Sequence, residues 1–169
     1  LLIILFTGLF IFLAGYYAIT AEKRFTAKSV FQIEQNNSGI QALNLFPKYV
    51  NVFDCIHIYA EQSISDAKVL HAAAIAAELL DNNEDGTIDD ENVKNELMSL
   101  YTIMPLFAYE GSNAEDILFN NFEDLKENNN FCAGAVLYNN EIDPYSPGFW
   151  GNDASVEEVL HTINSCSHV

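Results

Sequence analysis

Basic side chains are scarce in this chain: seven Lys and Arg stand against 24 Asp and Glu, a formal net charge of −17. Such a balance repels the phosphate backbone of nucleic acid and equally an anionic membrane surface, so nucleic-acid binding is set aside. Cysteine is nearly absent too. Three residues, Cys55, Cys132 and Cys166, allow one disulfide and leave a thiol over. Cys55 and Cys132 both lie in apolar, strand-like runs, which suits buried free thiols and a bridge between the two equally well. With eight glycines and four prolines the chain has no Gly-rich phosphate loop, no Ser or Cys nucleophile set and no internal repeat. Several large enzyme classes fall away with those motifs.

What the chain does carry is apolar mass. Hydrophobic residues make up 50% of its 169 positions and aromatic residues 12%, enough to bury one core, so a single domain plus a terminal segment is expected. Leu1 to Thr20 contain no charge and match the hydrocarbon thickness of a bilayer at helical rise. Residues 1–21 are therefore read as a signal peptide, cut near Ala18 to Ala21, or as an uncleaved membrane anchor; a secreted or membrane-anchored, extracytoplasmic domain follows from either. Lys23, Arg24 and Lys28 pull the other way, because positive charge after an anchor holds that side in the cytoplasm. The opening lacks Met and Thr162 to Val169 lack a stop signal, so the chain is expected to be a piece of a longer product. Asn36-Asn37-Ser38 is a glycosylation sequon.

Residues 22–48 read as an irregular linker, and residues 49–169 as an α+β domain with a small mixed sheet. Tyr49 to Ala60 alternate as a strand, with His57 on its less apolar face as a structural residue. Ser63 to Leu80 repeat apolar residues at helical spacing (Val69, Ala72, Ala73, Ala76, Leu80), with His71 a boundary residue of that helix. A second helix runs from Glu91 to about Tyr101. Met104 to Tyr109 and Phe131 to Tyr138 read as strands, Pro105 marking the first as an edge strand or as a strand start. Asn113 to Lys126 read as a helix, and Asn139 to Asp153 as a loop.

Between the first two helices lies Asp81-Asn-Asn-Glu-Asp-Gly-Thr-Ile-Asp-Asp-Glu-Asn92. Oxygen-bearing side chains fall at positions one, three, five and nine of this stretch (Asp81, Asn83, Asp85, Asp89), Gly86 permits a sharp turn, and Ile88 is placed to anchor the loop on the core. A hard cation needs several oxygens converging on one point, and alternate residues of a tightly turning backbone supply them. The stretch resembles the EF-hand loop, and among EF-hands the dockerin-like extracellular variants. That resemblance implies a calcium site in which Asp81, Asn83 and Asp85 bind through side chains, Thr87 through its carbonyl and Asp89 directly or through water. Asn92 stands where the family places a bidentate Glu, which implies the weak class of roughly 10⁻⁴ to 10⁻³ M suited to extracellular calcium. No second loop is present to pair with it, so a structural role is expected rather than a sensing one.

The second candidate is Ser155-Val-Glu-Glu-Val-Leu-His161. Glu157 and His161 are four apart and share one side of a helix, a spacing that can hold zinc, and Glu158 stands where a general base would. The pattern is similar to the zincin metallopeptidase motif His-Glu-x-x-His, with Glu157 in place of the first His. The competing reading is a capping box between Ser155 and Glu158, with Val156, Val159, Leu160 and Ile163 as the buried stripe. Tyr145, Phe149 and Trp150 just upstream suit an aromatic wall to a cleft or, more commonly, buried aromatics. The leading expectation is a calcium-stabilised binding or structural protein, its protein or peptide partner unspecified and its membrane contact made through residues 1–20 where these stay attached. The alternative is a zinc-dependent hydrolase.

Overall fold

A computed structural model describes residues 32–36, 38–145 and 153–167. The apolar segment 1–21, along with Phe149, Trp150 and His168, lies outside these residues; among those described, no helix is long and apolar enough to cross a membrane. Six strands form one mixed sheet: β1 (Glu34–Gln35), β2 (Lys48–Val52), β3 (Ile56–Ala60), β4 (Tyr101–Phe107), β5 (Phe131–Cys132) and β6 (Leu137–Tyr138). The five α-helices are α1 (Asp66–Leu80), α2 (Glu91–Ser99), α3 (Asn113–Asn120), α4 (Phe122–Asn129) and α5 (Ser155–Cys166). Strands β1, β2 and β3 pair antiparallel, while β4 runs parallel to β3, β5 and β6.

Strand parity explains the layering. Even-numbered residues (Val50, Val52, Ile56, Ile58, Ala60, Met104, Leu106) join a core with Val69, Ala72, Ala73 and Ala76 of α1, Leu97 of α2, and Val159 and Ile163 of α5. Odd-numbered Tyr59, Ile103 and Phe107 join a second core with Leu43, Phe46, Leu118 and Leu125. Helices therefore cover both faces of the mixed sheet, a layering closer to α/β proteins than to the expected α+β arrangement.

Several finer expectations are corrected. Pro105 does not mark an edge, because β4 lies inside the sheet. Glu61 N–H donates to Leu106 O (3.2 Å), so even-numbered residues of β4 turn their backbone groups toward β3; Tyr101 N–H donates the other way, to Asn130 O (2.8 Å). Pro105 is odd-numbered, and it falls between the end of β5 pairing at Thr102 and the start of β6 pairing at Leu106. Its missing N–H leaves no rung broken. Tyr49 to Ala60 make two strands, joined where Phe53 and Asp54 adopt left-handed backbones (φ 54° and 57°). Asn51 steadies that turn by accepting from the Asp54 amide at 3.0 Å. The stretch expected as linker contributes β1 and a 3-10 turn, Gln41–Leu43, and buries Leu43 and Phe46 completely. Its apolar residues serve a turn, so they show neither period 2 nor period 3.6. The sequon asparagine is engaged as well, since Asn36 Nδ2 donates to Leu43 O at 2.6 Å.

The disulfide joins Cys132 to Cys166 and leaves Cys55 buried and free, its thiol pushed up to about 11 by burial. The bridge fastens β5 to the end of α5, over a sequence separation of 34 residues. Next to it Gly134 meets the same helix so closely that a Cβ would stand 2.6 Å from Thr162 Cα and 2.8 Å from His161 O. Those are backbone atoms, which no rotamer change can move aside. Gly134→Ala is expected to cost about 1–3 kcal/mol by overpacking, read as a lower urea midpoint with the slope unchanged. Replacing both bridging cysteines by Ser is expected to cost on the order of 3–4 kcal/mol through the released loop entropy, checked in the same denaturation experiment.

Candidate metal centres

Helix α1 forms because Ala dominates its interior, and its Ala face packs against the sheet. It ends at Asp81, which is buried, and residues 82–87 are exposed. The loop then turns on Glu84 (φ 60°) and Gly86 (φ 91°) and sends Ile88 back into the first core. Asp89 N–H donates to Leu80 O at 2.9 Å, closing the loop onto the end of α1. Asp90 caps α2 by accepting from the Asn92 amide at 2.8 Å.

Within this frame Asp81, Asn83, Asp85 and Asp89 each accept hydrogen bonds from groups of the loop, but Asp81, Asp85 and Asp89 do not bring ligand atoms within 4.8 Å of one another. Asp81 accepts from the amides of Asp85 (3.1 Å) and Gly86 (2.8 Å). Asn83 Oδ1 accepts from the Asp85 amide (2.9 Å), while its Nδ2 donates to Asp89 (2.7 Å). Asp85 accepts from the Thr87 amide (2.9 Å) and hydroxyl (2.5 Å), and the hydroxyl bond holds its carboxyl below the usual carboxylate range. Glu91, one residue before the twelfth position, is drawn aside by Lys94 Nζ at 3.1 Å. Asn92 is exposed in the first turn of α2 and brings no charge to that vertex.

On α5 the ligand atoms of Glu157, Glu158 and His161 all lie within 4.8 Å of one another, the one such group of His, Cys, Asp or Glu among the described residues. Glu157 and His161 are exposed, and His161 Nδ1 stands 3.3 Å from Glu158 Oε2. The capping box is not formed. Ser155 is fully buried inside the first turn, and its hydroxyl donates to Asp153 Oδ1 at 2.6 Å. Val159 and Ile163 are buried as expected, whereas Val156 (39% exposed) and Leu160 (41%) face solvent.

Asp153 carries a network the sequence did not announce. His71, expected at a boundary, is buried, with its Nε2 at 2.9 Å from Asp153 Oδ2. The Ser155 hydroxyl lies on the carboxylate rather than on the imidazole, so this is not a nucleophile triad. It ties α1 to the start of α5. A second unannounced network sits at the carboxyl ends of the parallel strands, where open α/β sheets commonly bind ligands. There Glu61 accepts from the Ala108 amide (2.9 Å) and Ser112 hydroxyl (2.8 Å), and Glu115 from the Gly111 amide (2.6 Å) and Tyr138 hydroxyl (2.7 Å). The Ser112-Asn-Ala-Glu115 spacing was the available signal, since Ser112 Oγ accepts from the Glu115 amide at 3.2 Å at this helix start.

His57 lies in an aromatic row across four strands, with ring centroids 5.9 Å from Tyr49 and 4.2 Å from Tyr101, and Tyr101 4.9 Å from Phe131. The Tyr49 hydroxyl lies 2.7 Å from His57 Nδ1, which accepts the bond when His57 is neutral. Burial lowers the His57 pKa from 6.5, against the opposing pull of Asp54, and burial foremost pushes the Tyr49 hydroxyl up to about 12. A lowered histidine pKa favours the neutral folded form, so its stabilisation is complete above the ordinary histidine range and is lost as pH falls through the lower folded value. Between pH 7.5 and 5, thermal melts should therefore show a steeper loss of stability for the native chain than for His57→Phe.

In comparisons with protein-family models, curated proteins and solved structures, nothing matched this chain.

Proposed function

We propose that this chain is an exported or membrane-anchored, extracytoplasmic domain in which one calcium ion at Asp81 to Asn92 clasps α1 to α2, serving a structural or binding role rather than catalysis. The observation that supports the reading is the frame of the turn: the loop between α1 and α2 is closed by the Asp89–Leu80 bond, with Gly86 at positive φ and Ile88 buried, and it carries Asp81, Asn83, Asp85 and Asp89, which a bound ion would have to draw together. Thr87 would add its carbonyl. In this reading Asn92 leaves the final vertex to water, which keeps affinity in the weak, roughly 10⁻⁴ to 10⁻³ M class. The Cys132–Cys166 disulfide supports an oxidising compartment, as residues 1–21 suggest from sequence. Membrane contact through residues 1–20 is part of the same proposal.

A zinc-dependent hydrolase is the second reading, drawn from the Glu157, Glu158 and His161 group. Its support ends at metal affinity: all three donors come from one exposed helix face, and Glu158, the would-be base, is paired with His161.

Calcium at about 10 mM should stabilise the chain by about 1–3 kcal/mol relative to chelator, if its affinity is in the stated class. Asp85→Asn keeps an acceptor for Thr87 but removes a charge, so it should lose most of that gain. An unchanged melting temperature across the calcium series, or a full gain in Asp85→Asn, would defeat the calcium reading.

A further inference from the structure

We propose that the solvent face of α5 is a self-association surface, closed by a transition-metal cation of the zinc type shared between two copies of this chain. Glu157 and His161 form one row at i and i+4, and Glu158 joins them; all three offer ligand atoms within 4.8 Å of one another. The imidazole nitrogen favours a transition metal over calcium, which takes oxygen ligands. Zinc seeks about four tetrahedral donors, and three groups on the convex surface of a single helix leave the opposite side of the ion open. A second copy related by a two-fold axis through the ion would present the same groups to that open side, and two donors from each copy, His161 and one glutamate, would complete the four.

A separate observation points to the same partner. Val156 and Leu160 are exposed at 39% and 41% in the row beside Glu157 and His161, although the other apolar residues of the helix are buried. An isologous pairing of α5 would cover this aliphatic pair around the ion. Charge makes the association conditional. Each chain has a net charge of −17 and brings Glu157 and Glu158 to the contact, so two such faces repel until a cation lies between them. The surface is thus built to pair when metal is present and to part when it is removed. This site is independent of the loop at Asp81 to Asn92.

Sedimentation equilibrium of the full chain in nonionic detergent, with zinc chloride or with chelator, tests the proposal. The expected result is a monomer in chelator and a doubling of protein mass with zinc, at about one zinc per two chains. His161→Ala should stay monomeric with zinc while melting at the same temperature as the native chain, because His161 is exposed. Leu160→Ser should weaken the zinc-dependent dimer, and Asp85→Asn should leave it unchanged. A chain that remains monomeric at saturating zinc, a dimer that survives chelator, or a His161→Ala chain that dimerises as readily as the native one would each overturn it.

Discussion

A strand covered on both faces must present side chains to two cores at once, and β4 does so from Thr102 to Phe107, all of which are buried. The rest of the fold is arranged around that requirement. Met104 and Leu106 face α1 and α5, while Ile103 and Phe107 face the 3-10 turn, α3 and α4. Burying Thr102 here is tolerable because its hydroxyl donates to Leu97 O on α2 at 3.2 Å. Met104 Sδ in turn accepts from the Thr162 hydroxyl of α5 at 3.1 Å. These two polar contacts fix which helices lie on this face, where apolar packing alone would tolerate sliding.

Both candidate metal centres inherit their positions from this arrangement. The loop begins where α1 reaches the edge of the first core, and Ile88 is the only apolar residue between Asp81 and Asn92, so it sets which way the loop faces. At the other centre, α5 is held at three points: the His71–Asp153 pair near its start, the Gly134 contact along its middle and the Cys132–Cys166 bridge at its end. A helix restrained along its length cannot rotate to bury Val156 and Leu160. Its exposed face is consequently a fixed consequence of the packing.

The parts of the fold legible in sequence were those with a regular period. Helix α1 could be read from Val69, Ala72, Ala73, Ala76 and Leu80, and the helix–loop–helix order from the oxygen-bearing residues between α1 and α2. What could not be read was set by partners distant in sequence. Pro105 looked like an edge signal because nothing local says that β5 and β6 leave a gap opposite it. Phe131 to Tyr138 read as one strand, but the approach of α5 at Gly134 pushes the middle of that run off the sheet. His71 and Asp153 are 82 residues apart, so neither announces the other. The Ser155–Glu158 spacing gave a local signal that lost to another local contact, the hydrogen bond from the Ser155 hydroxyl to Asp153 two residues earlier, whose burial is set by its distant partner His71.

The loop is satisfied without an ion, and this bears on what an ion would have to do. Asp81 binds two amides, but a carboxylate has about four lone-pair sites, so those bonds hold its oxygens in place without exhausting them. The Asn83–Asp89 and Thr87–Asp85 bonds are different, because they occupy oxygens that a cation would also seek. A cation would therefore exchange two exposed hydrogen bonds for direct coordination and relief of repulsion among three aspartates. Lys94, on the helix that follows the loop, gives little of that relief because it is paired with Glu91. An ion supplied from solution would offset more of the charge on this turn, and the exchange it would require favours weak binding at millimolar supply over tight capture.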